Sequence, residues 1–299
     1  MEDNNIHIPI PEEEENNKPD KQKKKKSCAG RLFRIALLMF IVWWFNNYML
    51  FITKEEISSP KVNNEIKLAV ISDQHASTDF FTISNSCIMK KIKKIDPDVV
   101  CVLGDMHSND ASQEEKNISL NLMLDILKEG YQMYFVLGEH DDRTNAYVSM
   151  MESKGITVLD QCSETIKIKD TEVTFYGISN AYFSEYFDLR NEFDLNPKTY
   201  NILLAHIPMF KDYELFGADL TLCADTHGGI IQVPFFGPAY YEGEVLPELF
   251  GDSEKVYDKG LFKNKNGYMF ITSGIGNSPV AARFNNFPEV AEITINPEK

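Results

Sequence analysis

Apolar positions along the chain fall into three regimes. Residues 1–27 hold few of them: Glu12 to Glu15 are followed by Lys21 and Lys23 to Lys26. Such charge blocks bury no apolar area, so residues 1–30 are predicted to be a disordered, charged cytoplasmic tail. From Arg31 to Ile52 the pattern inverts into a mostly apolar run, interrupted beyond Arg34 only by the uncharged Asn46 and Asn47. At ~1.5 Å per residue, about twenty such residues match a ~30 Å hydrocarbon core, which predicts a transmembrane helix over 31–52. Lysines and arginines crowd its amino side, Arg31 and Arg34 included. The positive-inside bias therefore puts the N-terminus in the cytoplasm and the remainder outside, as a single-pass protein of the cell membrane. Residues 53–65, with Pro60, Asn63 and Asn64, read as a polar linker.

The third regime, 66–299, alternates short apolar runs with helical spacings. Ile66 to Ser72 is a β-branched run of strand length. Ile88, Ile92 and Ile95 share one helix face over 83–95, and Pro97 stops that helix. Strands over 99–103 and 133–137 flank a helix over 119–129 closed by Gly130. This β-α-β-α-β order implies right-handed crossovers and a parallel sheet. Later runs at 165–168, 172–178, 202–205, 220–223, 268–272 and 290–295 are strands with few helices between them, which predicts a second sheet packed on the first.

Charge narrows the function. The formal net charge is -15, and 55–299 carry 21 Lys+Arg against 38 Asp+Glu. A surface so acidic is a poor match for a nucleic-acid backbone, so no nucleic-acid partner is expected. Cys28, Cys87, Cys101, Cys162 and Cys223 have no CxxC spacing and indicate neither a disulfide framework nor a zinc knuckle.

The strand ends carry the chemistry. The run 68–72 stops at Asp73-Gln74-His75, where two side chains two residues apart on an extended backbone face the same way. Val102-Leu103-Gly104-Asp105 ends the next strand on a carboxylate, and Val136-Leu137-Gly138-Glu139-His140-Asp141 ends the third on acid, histidine and acid. Leu204-Ala205-His206 and Ala224-Asp225-Thr226-His227-Gly228-Gly229 repeat the pattern. Four of the six histidines thus close an apolar strand beside a glycine, an acid or both. In open α/β sheets ligands gather at the carboxyl ends of strands, and this set matches a dinuclear metal site built at one sheet edge.

On these residues the chain resembles the calcineurin-like metallophosphoesterases, and among them the membrane-associated bacterial phosphohydrolases. Asp73/His75, Gly104-Asp105, Gly138-Glu139-His140-Asp141, His206 and Asp225-Thr226-His227 follow the family's motif order. The stretches 226–229, 234–237 and 274–276, with Arg283 and Pro288-Glu289, resemble the subgroup's ending. The resemblance implies an α/β fold, a four-layer α/β/β/α sandwich. It also implies two divalent metal ions, with Asp73, His75 and His227 holding the first, Asp105 bridging, and Glu139, His206 and Asp225 holding the second. His140 would act as general acid on the leaving oxygen, with Asp141 fixing its imidazole, while a metal-bound hydroxide attacks phosphorus.

Two positions depart from that pattern, because Glu139 stands where the family has Asn and Asp225 where it has His. Added carboxylates favour Mn²⁺ or Mg²⁺, with Zn²⁺ or Fe as the softer candidates. They also open an alternative, a metal-binding pseudoenzyme that serves structure or partner recognition. The expected partners are a membrane, through one helix, and a phosphorylated substrate, with lipid-linked or envelope phosphates favoured by topology. The aromatic stretch 235–241 reads either as an apolar lip for an acyl chain or as an inward-packed loop.

Overall fold

Six residues from Ile66 to Ile71 are almost wholly buried, as expected of a strand covered on both faces. This computed structural model describes residues 28–79, 81–179, 188–241, 243–251, 255–278 and 280–298; the tail expected over residues 1–27 lies outside them. Elements run α1 (Cys28–Tyr48), β1 (Phe51–Ser59), β2 (Ile66–Ile71), α2 (Asn85–Ile95), β3 (Val99–Val102), α3 (Gln113–Lys128), β4 (Gln132–Phe135), α4 (Asn145–Ser153), β5 (Thr157–Val158), β6 (Cys162–Ile168) and β7 (Thr171–Ile178). They continue with α5 (Leu189–Glu192), β8 (Tyr200–Ala205), α6 (Phe210–Phe216) and β9 (Leu220–Cys223). Two small ribbons follow, β10 (Gln232–Val233) with β11 (Gly237–Pro238) and β12 (Tyr240–Tyr241) with β13 (Glu244–Val245). The chain closes with α7 (Pro247–Phe250), β14 (Gly260–Lys263), β15 (Tyr268–Ile271) and β16 (Glu289–Pro297).

Two six-stranded sheets form, ordered β1-β16-β2-β3-β4-β5 and β14-β15-β9-β8-β7-β6. Val70, Cys101 and Tyr134 of the first sheet share one buried cluster with Phe175, Ile202 and Leu222 of the second. On its other face the first sheet packs Ala69, Val100 and Phe135 against Ile88 and Ile92 of α2 and Leu122 and Ile126 of α3. The second sheet covers Leu203 and Met269 with Leu189 of α5 and Tyr213 and Phe216 of α6. These are the four layers α/β/β/α expected from the sequence. The run β2-β3-β4-β5 is parallel, and so is β7-β8-β9. These seven strands therefore point their carboxyl ends the same way within their sheets. Helix α3 starts six residues earlier than its apolar spacing suggests, because Ser112 and Glu115 form a reciprocal capping box.

The N-terminal expectation is corrected in two respects. Among the described residues no helix is long and apolar enough to cross a membrane. The helix that does form ends at Tyr48, and Phe51 and Ile52 belong to β1. The expected linker over 53–65 is also wrong in its first half: β1 pairs in parallel with β16 over nine residues, Phe51↔Glu289 to Ser59↔Pro297. It is an edge strand with only Ile57 and Ser59 buried, and edge strands tolerate the charges that made 54–56 read as linker.

Residues 1–40 and 41–299 form two compact units, so the last two turns of α1 belong to the large one. There Asn46 Oδ1 accepts from the Asn285 amide at 2.7 Å. Asn47 Oδ1 accepts from the Arg283 amide at 2.9 Å, and its Nδ2 donates to the Arg283 carbonyl at 3.2 Å. The two polar interruptions of the apolar run are thus the groups that dock it. Replacing Asn47 with Leu leaves a buried amide and carbonyl of Arg283 unpaired and is expected to cost about 1–3 kcal/mol, read by urea unfolding; an unchanged midpoint would show that the helix end is not part of the domain.

Candidate metal centre

The sequence-predicted ligands lie at the carboxyl ends of β2, β3, β4, β8 and β9, and the fold brings them together where the two sheets meet. Three overlapping groups have ligand atoms within 4.8 Å of one another: Asp73, His75 and His227; Asp73, Asp105 and His206; Asp105, Glu139 and His140. Asp225 joins through His206, with Oδ1 3.7 Å from Nε2. His206 Nε2 lies 3.2 Å from Asp105 Oδ2, and His227 Nε2 lies 3.7 Å from Asp73 Oδ1.

Backbone at these positions is held in a conformation that side chains seldom adopt. Asp73, His75, Asp105, Asp225 and His227 all have φ between 40° and 69°. Left-handed residues cost energy unless the surroundings impose them, and they cluster at functional sites. Two glycines make the approach of β3 and β4 feasible. A Cβ on Gly138 would overlap the Asp105 carboxylate, and one on Gly104 would overlap the Gly138 backbone. Gly-Asp and Gly-Glu-His-Asp therefore start with glycine for the same steric reason.

The donors are aimed by groups outside the cluster. His206 Nδ1 lies 2.6 Å from the Leu103 carbonyl, which requires the proton on Nδ1 and leaves Nε2 facing the cluster. His75 Nδ1 lies 3.2 Å from Ser108 Oγ, and Ser72 Oγ donates to Asp73 Oδ2 at 2.5 Å. Asp73 Oδ1 and His75 Nε2 are buried without a hydrogen-bond partner, as are few groups in folded proteins. Two orphaned donor atoms, with carboxylates and imidazoles converging on them, fit a divalent cation.

Electrostatics point the same way. Burial alone would raise Asp105, but the His206 imidazole and the His140 amide hold it down to about 2. Burial would lower His206, yet Asp105, Asp73 and Asp225 together push it up to about 10. Burial raises Asp225 to about 6, with Asp73, Glu139 and Asp105 adding to it. Burial lowers His75 to about 4 and, with Arg283 and His206 beside it, His227 to about 3. Both are neutral ligands at pH 7.

Asp141 does not play the expected part. Its buried carboxylate accepts from the amides of Asp105 at 2.8 Å, Met106 at 3.0 Å and Gly138 at 2.9 Å, with His107 Nδ1 3.4 Å away. It clamps the β3 and β4 loops together, and the cap of α4 is Thr144. His107 is buried against Tyr147. Ser72 and Ser108 were not legible as supports, because hydroxyls beside a motif are common, and Arg283 stood out only by resemblance, with no role attached. Arg283 is buried and donates to the carbonyls of Ser273 and Gly276, both at 2.7 Å.

This fold and this centre are those of a metallophosphoesterase, and the chain belongs to the calcineurin-like phosphoesterase family, whose model matches residues 66–237. It is similar to the uncharacterized metallophosphoesterase YkuE of Bacillus subtilis (strain 168), 25% identical over 77% of this chain and 78% of that protein. It is also similar to an uncharacterized metallophosphoesterase of Aquifex aeolicus, 24% identical over 87% of this chain and 97% of that protein. Among solved structures, the NAD nucleotidase NadN of Haemophilus influenzae aligns over 70% of this chain and 44% of its own, at 17% identity and TM-score 0.42.

Two outcomes follow from the geometry. Divalent-metal binding at pH 7 is expected to release a proton, chiefly from His206, because a ligating imidazole must be neutral; calorimetric titration in buffers of different ionisation heat reads it, and His206→Ala should abolish it. Asp141→Asn should destabilise the fold by roughly 1–3 kcal/mol and weaken metal binding without changing how rate depends on the leaving group. A steeper leaving-group dependence would return Asp141 to proton transfer.

Proposed function

We propose that two divalent cations occupy the centre and that the enzyme hydrolyses phosphomonoester, phosphodiester or pyrophosphate bonds. The observation that carries this is the sharing of Asp105 and Asp73 among the three ligand groups, which makes one cluster large enough for two ions with Asp105 between them. Asp73, His75 and His227 would hold the first ion, and Glu139, His206 and Asp225 the second. When bound, such ions polarise phosphoryl oxygens and lower the pKa of water. The chain's own part is to orient and to move a proton. His140 is the half-exposed imidazole of the cluster, with Nε2 3.8 Å from Asp105 and 3.5 Å from Glu139, and it is placed to protonate a leaving oxygen. Its replacement by Ala should cost about 10² to 10⁴ in turnover while metal content stays, with poor leaving groups hit hardest. Equal slowing of aryl and alkyl esters would remove it from that role.

The carboxylates at Glu139 and Asp225 support preference for Mn²⁺ or Mg²⁺ over Zn²⁺. Glu139→Asn with Asp225→His should shift the activity ranking toward Zn²⁺. An unchanged ranking would mean that these side chains do not ligate; a wild type that is inert while the double variant turns over phosphoesters would establish the pseudoenzyme reading.

We also infer that α1 holds the protein at a membrane face. Leu32, Phe33, Leu37, Leu38 and Met39 are exposed, and a contiguous apolar run of this kind marks an interaction surface. A protein so placed would meet lipid-linked phosphates. Co-flotation of the full chain with phospholipid vesicles should be lost in Leu37→Asp/Leu38→Asp; flotation that persists would reject the assignment.

A further inference from the structure

The centre has two unlike flanks. Beside His75 lies a polar cleft of about 190 Å³, lined by Gln74, Ser77, Asp79 and Asn277 among others. Beside Asp225 lies a larger pocket of about 500 Å³, whose walls are mostly Ile207, Pro208, Ile230, Ile231, Val280 and Ala282. Asp225 and Thr226 line that pocket too, so it shares a wall with the centre. Building on the phosphoester reading above, we propose that this pocket holds the hydrocarbon tail of the substrate, which is a lipid phosphoester whose phosphate sits at Asp105 and whose polar group faces His75.

Three observations support a tail over another occupant. The pocket shares Asp225 with the centre, so whatever fills it lies beside a phosphate bound there. Its rim is apolar and open to solvent: Tyr240 and Val280, both lining it, are more than half exposed, and Ile231 is exposed as well. Isolated exposed apolar residues need no explanation, whereas a cluster beside a concave apolar wall marks a binding site. Ile230 is also held at φ 55°, a strained state for a β-branched residue. The loop 280–285 supplies the third. It lines the pocket with Val280 and Ala282, and its backbone holds the end of α1, with Trp43 Nε1 donating to the Ala281 carbonyl at 2.7 Å and Asn47 bonded to Arg283. In the same unit Ile41, Val42, Trp44 and Phe45 of α1 stay exposed. One loop therefore joins the pocket to an exposed apolar helix end, which suits a substrate drawn from a lipid phase.

The test is a series of p-nitrophenyl n-alkyl phosphodiesters, methyl to dodecyl, given to the full-length Mn²⁺-loaded enzyme below micelle-forming concentration. Burying a methylene is worth about fourfold, from ~0.8 kcal/mol each, so kcat/KM should climb about three- to fourfold per carbon until the pocket is full. Ile231→Asp and Val280→Asp should flatten the series, and Leu215→Asp, on the exposed face of α6, should leave its slope intact. A flat wild-type series with ready hydrolysis of the methyl ester overturns the tail pocket and leaves the phosphoesterase reading standing. If no ester of any length is hydrolysed with any divalent metal, that reading fails instead, and calorimetric binding decides the pocket. Dodecyl phosphate bound at least a hundredfold more tightly than methyl phosphate, with the gain lost in Ile231→Asp, upholds it; equal binding overturns it. A dimer in sedimentation that Ile231→Asp dissociates and dodecyl phosphate does not would assign the pocket to a second copy of the chain and overturn the proposal as well.

Discussion

One buried charge organises this molecule, the carboxylate of Asp105. It is 2% exposed and stays ionised, held by the His206 imidazole and by the His140 amide, which donates to Oδ1 at 2.8 Å. An isolated carboxylate in such a place would cost several kcal/mol or take up a proton. It persists because β2 and β4 of one sheet and β8 of the other each deliver a histidine or an amide to it. Docking of the two sheets and assembly of the centre are accordingly one event. Asp73, Glu139 and Asp225 stand around the same point, and the His206 imidazole, with the Arg283 guanidinium near Asp73, leaves the cluster with more carboxylates than basic groups. Divalent cations would offset that charge.

Most of this centre was legible because a parallel strand writes its end plainly. Val102-Leu103-Gly104-Asp105 passes from three buried positions to an acid, and the acid falls where the sheet edge lies. Sequence order gave no distances, but strand order followed from the β-α-β rhythm, and strand order places the ends. The role of Asp141 was not legible. Its neighbour in sequence is His140, whereas its partners are amides, including those of Asp105 and Met106, some 35 residues away. Backbone amides have no sequence signature, so a buried Asp that binds three of them looks like any acid beside a histidine.

The N-terminal region misled for a related reason. Nine residues of β1 pair with β16 at the far end of the chain, and nothing local to Lys54-Glu55-Glu56 announces a partner about 240 residues away. Those charges belong to an edge, where Lys54 meets Glu292 at 2.7 Å. Hydropathy in turn overstated the helix. Its apolar run continues to Ile52, but Asn46 and Asn47 spend their amides on the loop 283–285 and Phe45 packs against Phe51 and Phe287. Tertiary contacts, not hydrophobicity, decide where α1 stops.

Those contacts also give α1 a route to the chemistry. Arg283 is bonded through its own peptide to Asn47 and through its guanidinium to the carbonyls of Ser273 and Gly276. Between those carbonyls lies Gly274, packed so closely on Asp73 that a Cβ would stand 2.7 Å from the Asp73 Cβ. Asp73 in turn donates its strained backbone position and its orphaned Oδ1 to the centre. A lysine at 283 would offer one point charge on a flexible stem, whereas the planar guanidinium spans several carbonyls at fixed angles. A single residue thus ties the docked end of the helix to the loop packed behind Asp73, so the end of α1 and that side of the centre share a support.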